Sequence, residues 1–275
     1  MDLKYQAAKL LGKNRRAGVL TQYKNEGQVR RFCDLVQELY GLQNIRHLKT
    51  KHILGAVKEL KAQGLGSSTL ASYMSAARRI AEGIGKQNIV PRTNKELGIS
   101  RAGDRLKPVT ADMEAIHNLT AQLFEKAEWL GLAAEMRIEF GLRAKESLLS
   151  VEVCEEGLIV RGSKGGRPRT IPIRKDAQRD LVKRVRSHIQ REGKASLIPP
   201  DLTLKQALRK QANALHRIGA TKKNRAHAHA SRHEYAQRLA EAGTSRADIS
   251  QALGHGREEV VSHYIKKKGQ VTLDP

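Results

Sequence analysis

The sequence is poor in cysteine, in aromatic residues and in long apolar runs. Its two cysteines, Cys33 and Cys154, form no CxxC or CxxH pair, which argues against a disulfide framework and against a zinc site. Aromatic residues make up 4% of the 275 residues, so the core must consist mainly of Leu, Ile, Val and Ala. No segment approaches the roughly 20 apolar residues of a membrane-spanning helix, and the N-terminus lacks the apolar run of a signal peptide. We therefore expect a cytoplasmic protein without a membrane partner.

Acidic residues are scarce relative to basic ones. The 51 Lys and Arg residues outnumber the 28 Asp and Glu residues, which gives a net charge of +23. A polyanionic partner relieves such self-repulsion, and each neutralised phosphate releases a counterion and adds affinity. Residues 1–107 are the denser part, with 21 Lys/Arg against 8 Asp/Glu. The charge predicts a nucleic-acid-binding protein associated with the nucleoid. A membrane surface is the weaker alternative, because no basic amphipathic helix has an aromatic face.

Helical periodicity dominates the first third of the chain. Apolar residues recur at three- and four-residue steps in three predicted helices, which cover residues 18–41, Lys51–Gln63 and Ser67 or Ser68 to about Ile84. The following segment is polar and basic, and Gly and Pro punctuate it, as is typical of a linker. We predict a helical DNA-binding domain over residues 1–88, a basic linker over residues 89–109 and a second domain over residues 110–275.

The second domain changes from helical to strand periodicity and back. Two helices are predicted between Thr110 and Glu139, and a short helix after Gly141 carries Arg143 and Glu146. Short β-branched runs follow around a Gly-rich hairpin turn, at Val151–Val153, Leu158–Val160 and Thr170–Ile173. Helices then resume over residues 175–191, 203–218, 229–242, 245–253 and 257–267. The predicted fold class is mainly α with a small antiparallel β-sheet.

Tyr264 is the candidate nucleophile. A phenol is mostly protonated at neutral pH, so its attack on a phosphate needs cations that offset the developing negative charge. His229 and Arg232 lie three residues apart and can share a helix face, and His255 follows shortly before Tyr264. A guanidinium can bind two phosphate oxygens at once. Zinc binding by His229 and His233 is disfavoured, because neither a nearby cysteine nor a third ligand accompanies them.

Two further cations and a carboxylate lie upstream. Arg143 stands at a helix start, where the helix N-terminus favours a phosphate, and Glu146 can brace an arginine through a salt bridge. Lys164 lies at the tip of the predicted hairpin. There it can be a solvated loop residue or a phosphate contact. Lys145 and Lys175 are weaker candidates than Lys164 for the functional lysine.

Together and in this order, these motifs resemble those of the tyrosine recombinase (phage integrase) family. The strings are Phe140–Leu149, Ile159–Ile173, His229–Arg232, Leu253-Gly254-His255 and Tyr264. The resemblance implies that a tyrosine forms a 3′-phosphotyrosyl link and that the hairpin lysine protonates the leaving 5′ oxygen, with neither a cofactor nor a metal. The catalytic set would be Arg143, Lys164, His229, Arg232, His255 and Tyr264, with Glu146 in support.

The resemblance also implies DNA contacts and partners. Gly64–Arg79 looks like part of the SAM-like core-binding domain of these enzymes. The implied partners are double-stranded DNA with a specific recombination site and further copies of the chain, in a homotetramer on two sites. A directionality factor or a host DNA-bending protein can accompany them. The candidate DNA-binding residues are Ser67, Ser68, Thr69, Arg78, Arg79, Arg167 and Arg169.

Several functions compete. An integrase that integrates or excises a mobile element is favoured, and an Xer-like or plasmid dimer resolvase is the alternative. The helical core-binding domain argues against a type IB-like topoisomerase, and the complete catalytic set argues against a non-catalytic DNA-binding protein. About sixteen residues precede the helical domain. We expect this to be too short for the separate arm-binding domain of many larger phage integrases.

Overall fold

The protein consists of two compact units, Met1–Arg105 and Leu106–Pro275. A computed structural model describes residues 2–12, 19–100, 110–162, 167–221 and 223–265. Within these ranges, no helix combines the length and the apolar character needed to cross a membrane.

The first unit is a helical bundle around one apolar core. Its helices are α1 (Leu3–Leu11), α2 (Val19–Tyr40), α3 (Thr50–Ala62) and α4 (Ser67–Gly83). Each helix contributes fully buried residues to this core, among them Leu3, Phe32, Ile53 and Met74. The three helices expected from periodicity are confirmed to within a residue or so. Helix α1 was not among the predicted helices, and Asp2 caps its first turn by accepting a 2.9 Å hydrogen bond from the Lys4 amide.

Part of the expected linker packs on the first unit. Val90, Leu97 and Ile99 are buried in its core, where Val90 follows the 3₁₀ turn Gln87–Ile89 and Leu97 ends the 3₁₀ turn Lys95–Leu97. The Arg78 guanidinium holds this segment by donating to the Pro91 carbonyl at 2.9 and 3.2 Å. Apolar contacts therefore extend the core of the first unit to Ile99, beyond residue 88, where the helical domain was expected to end. Residues 101–109 lie outside the described part of the chain.

The second unit is arranged around a central buried helix, α6 (Glu128–Phe140). Leu132, Met136 and Phe140 of α6 are almost completely buried. Asp112 caps helix α5 (Met113–Lys126), because its carboxylate accepts from the Ala115 amide at 3.0 Å. The helices are α5 (Met113–Lys126), α6 (Glu128–Phe140), α7 (Ala144–Leu149), α8 (Asp176–Arg191), α9 (Leu204–Arg217), α10 (Ala230–Glu241) and α11 (Arg246–Ala252), followed by the 3₁₀ turn Glu258–His263.

A three-stranded antiparallel sheet lies beside these helices, in the order β1–β2–β3. Its strands are β1 (Val153–Cys154), β2 (Gly157–Val160) and β3 (Arg169–Ile171). Leu158 pairs with Ile171 and Val160 with Arg169, and all four side chains are buried. The predicted antiparallel hairpin is therefore confirmed. Its tip, residues 163–166, lies outside the described residues.

Candidate active site

Three chain segments converge on Arg232, in the first turn of α10. Its side chain is fully buried. Nη1 donates to the Gly141 carbonyl at 2.6 Å, and Nη2 donates to the Leu253 carbonyl. Nη2 also lies 3.1 Å from Nε2 of His255. A single guanidinium thus joins α10 to the end of α6 and to the turn after Ala252 that carries Leu253 and His255.

The turns beside Arg232 require glycine. Gly141 and Gly254 end α6 and α11 with φ values of +61° and +64°. A Cβ on Gly141 would lie 2.4 Å from the ring of Tyr235, and a Cβ on Gly254 would lie 2.6 Å from the guanidinium of Arg169. Glycine alone combines this backbone conformation with such close neighbours. The Gly-Leu-Arg and Leu-Gly-His strings that predicted the site therefore also set its geometry.

Glu146, in α7, is a buried carboxylate shared by several arginines. Oε1 accepts from Arg143 Nη1 at 2.7 Å, Oε2 accepts from Arg169 Nη2 at 3.1 Å, and Arg232 Nη1 lies 4.0 Å from Oε2. Burial raises the pKa of Glu146, but the hydrogen bond and charge of Arg169 and the hydrogen bonds from Arg143 outweigh it and lower the pKa to about 2. The predicted salt bridge is therefore present, and the carboxylate is ionised at neutral pH.

Tyr264 lies against this cluster, just after the last 3₁₀ turn. Its side chain is almost completely buried, and Oη lies 3.3 Å from Nε2 of His229. The Arg232 Cζ atom lies 5.6 Å from the centre of the phenol ring, within the range of a cation–π interaction. The rings of His233 and His255 lie 4.7 and 5.1 Å from it. The imidazoles of three histidines and the guanidinium of Arg232, all from the same chain, therefore surround the phenol of Tyr264.

The imidazoles of this cluster are neutral at pH 7. Desolvation and the charge of Arg232 lower the pKa of His229 to about 3 and that of His255 to about 4. Desolvation also lowers the pKa of His233 to about 4. His229 is exposed to solvent, but the ring of His233 packs against its ring, with 5.3 Å between the ring centres. Each neutral ring keeps a nitrogen lone pair that can accept a proton.

The candidate DNA contacts differ in how accessible they are. Ser68, Thr69 and Arg167 are exposed, and Ser67 and Arg79 are partly exposed. By contrast, Arg78 and Arg169 bind the protein itself. Arg78 donates to the Pro91 carbonyl, as described, and to Asn94 Oδ1 at 3.0 Å. Arg169 is buried between Glu146 and the Ala252 carbonyl, to which its Nε donates at 2.6 Å. A DNA contact does not fit Arg169, because its guanidinium is enclosed.

Two further expectations concern the lysine and metals. Lys164 lies outside the described residues. Within the described ranges, no group of three or more His, Cys, Asp or Glu side chains could hold a metal ion. The described candidates Arg143, Glu146, His229, Arg232, His255 and Tyr264 all lie in one connected cluster.

The structure adds Arg169 and His233 to the site. The signal for Arg169 was the alternation in β3, where it shares a face with the buried Ile171 and therefore points inward. The ring of His233 packs on that of Tyr264, with 4.7 Å between the ring centres. Four-residue spacing from His229 was the signal that placed both histidines on one side of α10.

Family models match both units. The model described as "Phage integrase family" matches residues 110–270, and the model described as "Phage integrase, N-terminal SAM-like domain" matches residues 10–83. No curated protein matches the sequence significantly.

Several solved structures have a similar fold. The XerH site-specific recombinase in a post-cleavage complex with a palindromic difH substrate is 20% identical, with a TM-score of 0.66 over 95% of this chain and 80% of that chain. A lambda integrase tetramer bound to a Holliday junction is 17% identical, with a TM-score of 0.67 over 98% and 78%. The Tn1549 transposon integrase in complex with circular intermediate DNA is 17% identical, with a TM-score of 0.62 over 97% and 96%. At these identities the similarity concerns the fold.

Proposed function

Because the chain belongs to the phage integrase family and is a tyrosine-type site-specific DNA recombinase, we propose that Tyr264 is its nucleophile. The main support is the 3.3 Å separation between the Tyr264 hydroxyl and Nε2 of His229, beside the buried guanidinium of Arg232. A phenol can attack a phosphodiester when one neighbour accepts its proton and others neutralise the growing charge. This cluster offers both.

We propose that Arg143, Arg232 and His255 hold the scissile phosphate. Arg143 and Arg232 both lie within 4.0 Å of Glu146. Because Glu146 neutralises only one of the two arginine charges, the pair keeps a net positive charge that can offset the negative charge of a phosphate. Arg232 Nε and His255 Nδ1 are buried, and no protein atom of the described residues hydrogen-bonds to them. Unsatisfied buried nitrogens are expected in a pocket that is completed by a ligand.

The proposed cleavage step transfers a phosphoryl group from a 5′ oxygen to Tyr264. Oη attacks the phosphorus in line, the bond from phosphorus to the 5′ oxygen breaks, and a 3′-phosphotyrosine forms. The neutral imidazole of His229 accepts the phenolic proton, and Lys164 donates a proton to the departing 5′ oxygen. The 5′ hydroxyl of a partner strand then attacks the phosphotyrosine and releases Tyr264. The covalent link conserves the energy of the broken bond, so rejoining needs no ATP.

The DNA is double-stranded and carries a specific recombination site in this proposal. Ser68 and Thr69 line a surface pocket together with Lys24 and Arg31 of α2. Hydroxyls and cations of this kind bind phosphate oxygens and position a protein on a duplex. In the second unit, the exposed Arg167 supplies a further cation. We propose that the protein acts at the nucleoid, with a directionality factor or a host DNA-bending protein as additional partners.

We propose a homotetramer on two sites as the working unit, as in the lambda integrase tetramer bound to a Holliday junction. We also favour a role in integrating or excising a mobile element over dimer resolution. The similar structures include a transposon integrase and XerH, whose substrate is difH. Recombination between two unlike sites on separate plasmids would support an integrase. Recombination confined to identical sites on one multimer would support a resolvase.

A suicide-substrate assay tests the nucleophile. The protein is mixed in EDTA with nicked DNA from its own recombination site, and the products are separated on a denaturing gel. We expect a covalent protein–DNA band with the wild type and none with Tyr264→Phe, because the phenylalanine ring lacks the attacking oxygen.

Tyr5→Phe is the matched control, because it removes the same atom from an exposed tyrosine of the first unit. Gel-shift binding must be equal for all three proteins. A covalent band that persists in Tyr264→Phe would show that another residue attacks. Absence of the band from every protein, despite binding, would favour a non-catalytic DNA-binding protein.

A further inference from the structure

Arg137, in the middle of α6, is a buried cation that no carboxylate of the described residues neutralises. Its side chain is 4% exposed. Within the described ranges of the chain, no carboxylate forms an ion pair with it and Nε has no hydrogen-bond partner. Arg169 and Arg232, which are the other buried arginines of the described residues, differ because they share the carboxylate of Glu146.

Such a group is costly for a protein to keep. Burial lowers the pKa of Arg137 to about 10, so the guanidinium still carries its charge at neutral pH. Buried charges in proteins are normally paired or hydrogen-bonded, because desolvation of an isolated ion is strongly unfavourable. A counter-charge supplied from outside the chain would explain why an arginine occupies this position.

The surroundings of Arg137 have room for such a group. Arg137 lines a small cavity of about 30 Å³ together with Thr120, His227 and Ser231, and its other walls are apolar. A volume above roughly 10–15 Å³ is enough for a water-sized occupant. Ser231 belongs to the first turn of α10, and a helix N-terminus carries a partial positive charge that favours anions.

We infer that this cavity is an anion-binding site, in which the guanidinium of Arg137 and the first turn of α10 hold one compact, singly charged acceptor. Two sources share this chemistry: a small inorganic anion such as chloride, and a non-bridging phosphate oxygen of bound DNA. The second source rests on the proposed recombinase function, whereas the first does not. The charge of Arg137 is also one of those that lower the pKa of His229, so an occupant would favour protonation of the imidazole beside Tyr264.

The first test needs no DNA. Thermal unfolding is followed in sodium chloride and in sodium gluconate at equal ionic strength, because gluconate is too large for the cavity. We expect chloride to raise the Tm of the wild type by about 2–4 °C more than that of Arg137→Met, if chloride is present at several times its Kd. Methionine fills a similar volume without a charge, so the variant is expected to fold.

The matched control is Arg186→Met, which removes one charge from an exposed position of α8. Its response to chloride should equal that of the wild type. General salt effects on a protein of net charge +23 are thereby separated from binding at Arg137.

The second test measures DNA affinity against salt concentration. If a DNA phosphate fills the cavity, the slope of log K against log salt should be smaller by about 1 in Arg137→Met, and unchanged in Arg186→Met. A chloride-specific Tm shift that Arg137→Met abolishes supports the inorganic source, and a reduced slope supports the DNA source. If Arg137→Met matches the wild type in both measurements, the inference is overturned. The Tyr264→Phe result does not bear on the chloride measurement, so the two proposals can fail separately.

Discussion

Glu146→Gln should be among the most destabilising conservative changes in the second unit. The substitution preserves the shape of the side chain but removes the charge that Arg143 and Arg169 contact at 2.7 and 3.1 Å. The pKa of Glu146 falls from an ordinary 4.5 to about 2, and one pKa unit corresponds to about 1.4 kcal/mol. Because the side chain is 2% exposed, ionised Glu146 contributes roughly 3 kcal/mol at pH 7.

Urea unfolding at pH 7 measures this contribution. We expect Glu146→Gln to lower the free energy of unfolding by roughly 3 kcal/mol, since Arg169 is left as an uncompensated buried charge. The matched control is Glu152→Gln, whose carboxylate forms an exposed ion pair with Arg161 and should matter little. A loss in Glu146→Gln no larger than in the control would refute the reasoning.

The same carboxylate predicts acid sensitivity. Its pKa is lower in the folded than in the unfolded chain, so its contribution is complete above about pH 4.5 and is lost as the pH falls towards 2. Glu146→Gln should remove this part of the pH dependence. Adding Arg169→Met should recover part of the stability, because the second substitution removes the unpaired charge.

Two more predictions concern the glycine turn and the histidines. Gly254→Ala should lower the Tm by several degrees, because its Cβ would lie 2.6 Å from Arg169 at a φ of +64°. The control is Gly66→Ala, whose Cβ would meet no atom within 4 Å. Equal Tm values for the two variants would contradict the packing argument. Since the pKa of His255 is lowered from 6.5 to about 4, the unfolded chain binds more protons between these values, and the free energy of unfolding should fall as the pH drops from 6.5 to 4. His255→Gln should flatten this slope in urea unfolding, and an unchanged slope would count against the assignment.

The helices and the hairpin were predictable because apolar periodicity reports burial directly. Helix α1 was not predicted, because it is short and places only Leu3 and Ala7 in the core. The burial of Val90, Leu97 and Ile99 was not predicted for a different reason. Glycine and proline break the local pattern there, and burial is decided by a bundle that is distant in sequence.

The candidate site was predictable as a set of residues, but not as a network. The motif order indicated Arg143, Arg232 and Tyr264, because phosphoryl transfer needs a nucleophile and cations. Whether an arginine faces DNA or a carboxylate depends on tertiary packing, and Arg169 shows the difference. Its position in a three-residue strand turns the side chain towards Glu146, 23 residues earlier in the chain.

The hydrogen bonds that Arg232 donates to the carbonyls of Gly141 and Leu253 affect the order in which the residues of such a site would be lost during evolution. Loss of this arginine removes a structural link between distant chain segments as well as the proposed phosphate-binding cation, so selection for folding alone would retain it. Loss of the Tyr264 hydroxyl removes the proposed attacking atom, a single atom whose absence leaves the packing of the ring nearly intact. A descendant that no longer needed the proposed nucleophile would therefore lose the tyrosine before the arginine.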